Sequence, residues 1–161
     1  MTAAATARPR TAARVAAVQA LFQAEQAGDA TEAVIEQFLR HRLGTLPGAG
    51  GIEDGLAPDA HAKLFARIVR TAAEQQSGID AMVADALPAE WRLERLDPVL
   101  RALLRAAGAE LAMPDGPPSR VVLNEYLDVA HGFFDGDEPK MANALMERMA
   151  RSLRPKEFVG A

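Results

Sequence analysis

The sequence predicts an all-α protein of about seven helices, and three observations carry that prediction. Leucine and alanine dominate a chain of 161 residues that is 49% hydrophobic yet only 5% aromatic, a composition suited to helix-on-helix packing. Apolar residues recur at three- and four-residue spacing through most of the chain, as one face of a helix requires. No stretch alternates apolar and polar residues over the length of a strand.

The first helix is expected from about Pro9 to Ala27, with Val15, Val18, Leu21 and Phe22 on one face and Gly28 as its stop. Thr31 is placed to cap a second helix bearing Val34, Ile35, Phe38 and Leu39, which ends near Gly44. Positions 44–58 hold five glycines and two prolines, the composition of a flexible loop. Its Gly48-Ala49-Gly50-Gly51 lacks the Lys-Ser or Lys-Thr and the preceding strand that a phosphate-binding loop needs.

A third helix from Asp59 to Ser77 turns Leu64, Phe65, Ile68 and Val69 inward and breaks at Gly78. A shorter fourth spans Ile79 to Leu87 and ends at Pro88. Asp97-Pro98 starts the fifth, an oxygen cap followed by the residue that tolerates the first turn. Behind it Val99, Leu100, Leu103, Leu104, Ala107 and Leu111 cover more than one face, the pattern of a central buried helix. Gly108 costs that helix about 1 kcal/mol against alanine and marks a candidate close crossing. A turn at Met113 to Pro118 leads to a sixth helix ending near Phe134, with Val122, Leu123, Tyr126, Leu127, Ala130 and Phe134 inward. Asp137 is placed to cap the seventh, where Met141, Leu145 and Met149 form a core stripe. The organisation is then a basic arm over 1–8, a single helical domain over 9–155 and a tail over 156–161.

Cysteine is absent, which excludes disulfides and thiolate metal sites. No signal-like or membrane-spanning stretch is present, so a soluble cytoplasmic protein with no membrane partner is expected. His41, His61 and His131 lie on three segments, none with a second ligand three or four residues away to support zinc. Serine occurs only at 77, 119 and 152, each near an expected helix end. The acids are spread singly, and Glu53-Asp54 sits in the glycine loop, a poor place to hold a general acid and base in register. No catalytic residue, metal or cofactor is expected. The net charge of −4 argues against indiscriminate nucleic-acid binding. Its distribution matters more: residues 1–24 contain Arg8, Arg10 and Arg14 and no acid. Arginines at a helix amino terminus reinforce the positive end of its dipole, where free N–H groups can meet phosphate.

Four blocks carry a resemblance to a known family. They are Ala13-Arg14-Val15-Ala16-Ala17-Val18-Gln19-Ala20-Leu21-Phe22; Arg95-Leu96-Asp97 with Leu104-Arg105 and Glu110-Leu111; Val121-Val122-Leu123-Asn124-Glu125; and Lys140-Met141-Ala142-Asn143-Ala144-Leu145. In this order, with matching helix breaks over nearly the full length, the chain resembles the bacterial transcription antitermination factor NusB family. The resemblance implies two small packed helical bundles and a role in antitermination on ribosomal RNA operons, within the transcription elongation complex. It implies binding of a boxA-type single-stranded RNA together with the ribosomal protein NusE. It points to Arg8, Arg10, Arg14, Lys140 and Met141 as RNA contacts and to Phe22 and Arg101 as partner contacts. Asn124, Asn143, Arg105 and Glu110 read as structural polar groups that satisfy the interior.

The chain departs from the family pattern in three places. Arg10-Thr11-Ala12-Ala13-Arg14 replaces a run of consecutive arginines, Met141 stands at a usual aromatic, and Leu100 stands where an acid is common. The first two imply weak RNA binding by the chain alone, rescued by the partner. Arg148, Arg151, Arg154 and Lys156 form a second basic run that fits either helix-dipole complementation or RNA. Two rivals keep the fold: a protein-only module, including a self-associating homodimer, and an accessory domain acting in trans with an RNA-modifying enzyme.

Overall fold

The computed structural model describes residues 9–41 and 58–159. The proposed arm over 1–8, with Arg8, and positions 44–57 of the glycine-rich loop lie outside the described residues. Seven α-helices and no strand are found among the described residues: α1 Pro9–Ala27, α2 Thr31–His41, α3 Pro58–Glu74, α4 Gln76–Ala86, α5 Pro98–Ala112, α6 Ser119–Phe133 and α7 Glu138–Leu153. Short 3-10 turns at Leu93–Arg95 and Pro155–Phe158 complete the order. The all-α expectation holds.

Helix α5 is the axis. Leu100 to Leu111 are all buried, and α5 packs against α1, α3, α4, α6 and α7. It joins one bundle of α1, α2 and α3 to another of α4, α6 and α7. Asp97 accepts Val99 N–H at 2.8 Å and Leu100 N–H at 3.1 Å, with Pro98 opening the first turn. Such a cap contributes about 1 kcal/mol. Gly108 faces the close crossing expected of it. A Cβ there would stand 2.8 Å from Ile79 Cγ2 on α4 and 3.3 Å from Met149 Cε on α7.

Gly28 stops α1 in the left-handed region, φ +72°, its N–H reaching Ala24 O at 2.9 Å. Two expected boundaries move, and one expected cap is not made. The α3–α4 break falls at Gln75, and Gly78 lies inside the first turn of α4. Its propensity cost is small beside burial of Ile79 and Val83 on the same helix. Thr31 falls inside the first turn of α2, because Val34 N–H bonds to Ala30 O. Asp137 precedes α7 in a helical conformation and gives it no side-chain cap. The carboxyl end, expected as a tail from 156, instead makes the turn Pro155–Phe158, and Phe158 packs on the core.

Candidate nucleic-acid interface

Arg14 lies on the inner face of α1 and is 3% exposed. Its Nε and Nη2 donate to Glu110 at 2.6 and 2.8 Å, and its Nη1 to Glu125 Oε1 at 3.0 Å. Tyr126 Oη donates to the same Glu110 carboxylate at 2.6 Å. Thr11 Oγ1 donates to Glu125 Oε1 at 2.9 Å, so the first turn of α1 is tied to α6. Burial works against the charge on Arg14, but the bonds to Glu110 outweigh it and its pKa rises above the ordinary arginine value. Burial, then the Glu110 charge, pushes the Tyr126 phenol well above its ordinary value. Arg14 was expected as an RNA contact. The structure corrects this, because its guanidinium is buried and bonded to Glu110 and Glu125 inside the fold.

Arg101, expected at the partner surface, needs the same correction. It is 8% exposed and donates to Glu25 and to the carbonyls of Leu93 and Leu96. Arg105 joins it, bridging Glu25 at 2.9 Å and Asp80 at 2.8 Å. The Arg101 bonds hold the Glu25 carboxyl below its ordinary range. On Arg105, burial opposes the charge while Asp80 and Glu25 raise the pKa. Glu110 therefore sits in a buried ion pair, and Arg105 in part-buried ones. This network pins α1 and α4 to α5.

The two asparagines behave otherwise. Asn124 is exposed and Asn143 half-buried, and neither side chain bonds to a described residue. Expected to satisfy the interior, both instead line an open groove of about 740 Å3 between α6 and α7, with Arg120, Val121 and Phe158. On a helix the residue beside Glu125 is turned about 100° from it, which takes Asn124 out of the buried network.

Arg10 is exposed one residue before the Thr11–Glu125 junction. Lys140 is exposed one helical turn before Asn143, and Met141 is half-buried beside it. Asn124 and Asn143 thus share one groove, and Arg10 and Lys140 stand exposed in the first turns of the adjoining α1 and α7. Of the carboxyl-terminal arginines, Arg151 pairs with Glu147, while Arg148 and Arg154 are engaged with backbone. Arg148 donates to Ala86 O at the end of α4, and Arg154 to Glu110, Leu111, Met113 and Pro117 carbonyls at the end of α5. They neutralise the carboxyl ends of neighbouring helices.

Phe22 is half-buried at the rim of an apolar cavity of about 540 Å3 with Val99, Phe133, Gln19 and Gln23. Sequence reasoning missed Trp91, Arg92 and Arg95, which line a smaller cavity with Met141. Their signal was available as a lone tryptophan between acidic and basic residues outside any apolar stripe. Among the described residues no cluster of potential metal ligands occurs, and no helix is long and apolar enough to cross a membrane.

The comparisons with known proteins agree with this architecture. The transcription antitermination protein NusB of Granulibacter bethesdensis is 66% identical over 153 residues, covering 95% of this chain and 94% of that protein. The structure of T. maritima NusB superposes with a TM-score of 0.74 at 25% identity, covering 92% of this chain and 96% of that one. A NusB solved with NusE and dsRNA shares the fold, with a TM-score of 0.73 at 19% identity over 90% of this chain and 98% of that one. The NusB family model matches residues 11–151, and the chain belongs to the NusB family.

Proposed function

We propose that this chain is a transcription antitermination factor that binds boxA-type single-stranded RNA together with the ribosomal protein NusE, as a non-catalytic adaptor in the cytoplasm. The observation that carries the RNA half is the set of polar groups Arg10, Asn124, Asn143 and Lys140 on the adjoining α1, α6 and α7, whose side chains bond to no described residue. Arginine and lysine answer phosphate, and free side-chain amides can read base edges of an unpaired strand. Arg8, two residues before Arg10 in the sequence, lies outside the described residues and is proposed as a further phosphate contact.

The NusE half rests on the apolar cavity at Phe22. A half-buried aromatic between glutamines is the kind of anchor that protein interfaces cover. The protein-only alternative leaves the unbonded asparagines and cations without a role and is not favoured.

Fluorescence anisotropy of a labelled boxA-type RNA, across a salt series with and without NusE, tests the reading. Binding is expected to be weak alone, tighter with NusE, and salt-dependent. Arg10→Ala should weaken RNA binding in both settings, while Phe22→Ala should remove only the gain from NusE. A folded sample that binds RNA under neither condition would defeat the reading.

A further inference from the structure

Trp91, the chain's single tryptophan, precedes the turn Leu93–Arg95 and is 43% exposed. It shares an open cavity of about 360 Å3 with Arg92, Arg95, Met141 and the buried Leu96 and Leu100. That volume is in the range of small-ligand sites. Arg92 and Arg95 are exposed and their guanidinium groups bond to no described residue. By contrast Arg14, Arg67, Arg70, Arg101, Arg105 and Arg154 are all ion-paired. An indole and two unspent guanidiniums therefore converge on an apolar floor.

We propose that this cavity is a nucleobase subsite, with the face of Trp91 stacking one base of a single-stranded RNA. The inference rests on the RNA-binding reading above and extends its surface from Lys140 across Met141 to Trp91. Three acids also border the cavity, Glu90, Asp97 and Glu138. The Asp97 oxygen is spent on the amides of Val99 and Leu100, and Glu138 folds back over Gly136. Their negative charge keeps a phosphate out of the cavity but not a neutral base. The flanking phosphates then lie outside, within reach of Arg92 and Arg95. Met141 supplies a soft, polarisable wall that accommodates more than one base.

A single tryptophan makes the test direct. The chain is titrated with a short boxA-type RNA at low salt, following Trp91 fluorescence and RNA anisotropy together. NusE is then added, with Trp91→Phe as the blank for its own emission. Stacking predicts quenching that saturates at the same RNA concentration as the anisotropy. Trp91→Leu should bind about 5- to 150-fold more weakly, the range found when a stacking aromatic is removed, and Trp91→Phe should retain most of the affinity. Circular dichroism of both variants should match the parent, since the side chain is surface-placed. RNA that binds fully while leaving Trp91 emission and Trp91→Leu affinity unchanged would overturn the subsite and leave the RNA-binding reading intact. A fluorescence change with NusE alone and none with RNA would give the cavity to the protein partner, also overturning it. Absence of any anisotropy change for the parent, with or without NusE, would defeat the underlying reading and the subsite with it.

Discussion

Glu110 is 0% exposed yet carries a charge, and its two oxygens account for that by meeting Arg14 twice and Tyr126 once. A buried ion pair adds little over an apolar pair, but removing one partner strands the other's charge. Glu110→Gln should therefore cost about 3–5 kcal/mol, read as a lowered urea midpoint with unchanged slope. An unchanged midpoint would mean that Glu125 alone suffices for Arg14. Tyr126 makes a second, pH-dependent prediction. Its phenol is raised in the folded state, so the fold favours the protonated form. The stability this gives is present below the unfolded phenol value of about 10 and is lost as pH rises beyond it. Thermal unfolding across that window should show a falling midpoint, and Tyr126→Phe should flatten the fall while costing about 1–3 kcal/mol at neutral pH. Arg14 itself shows where a sequence stops being legible. Its charge and its place near the start of a helix were readable and suggested phosphate. Its partner lies 96 residues away, and only the packing of α1 on α5 reveals that the guanidinium points inward.

Periodicity located the helices because Val, Ile, Leu and Phe mark a face at helical spacing. It was less informative on α1, where Val15, Leu21 and Phe22 are only half-buried. The residues pressed into the core there are Ala13, Ala16, Ala17 and Ala20 with Val18. Small side chains let α1 lie close to α3 and α5, and alanine carries too little hydrophobicity to announce a face. The α3–α4 boundary was misplaced for a related reason: glycine weakens a helix by about 1 kcal/mol, which does not oblige it to break. Gly108 was legible as an anomaly, and the structure supplies the cause. Gly108→Ala would gain helix propensity but drive a Cβ into Ile79 Cγ2, a branch that cannot swing away in a buried site. The net expectation is destabilisation by about 1–2 kcal/mol, since overpacking costs more than propensity returns. Adding Ile79→Ala should make the glycine replacement less costly than it is in the parent, as a double-mutant cycle would show. Additive effects would place the crossing strain elsewhere.

An acidic molecule can bind RNA only if its free cations are segregated from its spent ones. The described arginines divide that way. Those at the ends of α4 and α5 hold carbonyls, and those between α1, α4 and α5 hold the carboxylates of Glu25 and Asp80. Arg67 and Arg70 pair with Asp115 and Glu32 on the surface. Arg10, Arg92, Arg95, Arg120 and Lys140 are exposed with no bonded carboxylate among the described residues, as Lys63 and Lys156 are elsewhere on the surface. The former belong to the first turn of α1, the approach to α5, and the starts of α6 and α7. Helix amino termini add partial positive charge there. The sequence showed the basic amino terminus but not this sorting, because a count of charges cannot tell a bonded arginine from a free one. The sorting predicts which substitutions alter the salt dependence of RNA binding. Each single-strand phosphate contact contributes about 0.7 to the slope of log affinity against log salt. Arg10→Ala, Arg120→Ala and Lys140→Ala should each lower the slope by about that amount and leave the unfolding midpoint nearly unchanged. Arg67→Ala should leave the slope untouched and cost at most about 1 kcal/mol of stability, as exposed pairs do. Arg14→Ala should reverse the pattern, losing stability first and RNA affinity only as the fold fails. Equal slopes across the free-cation variants and Arg67→Ala would show that the whole surface field, rather than a defined face, attracts the strand.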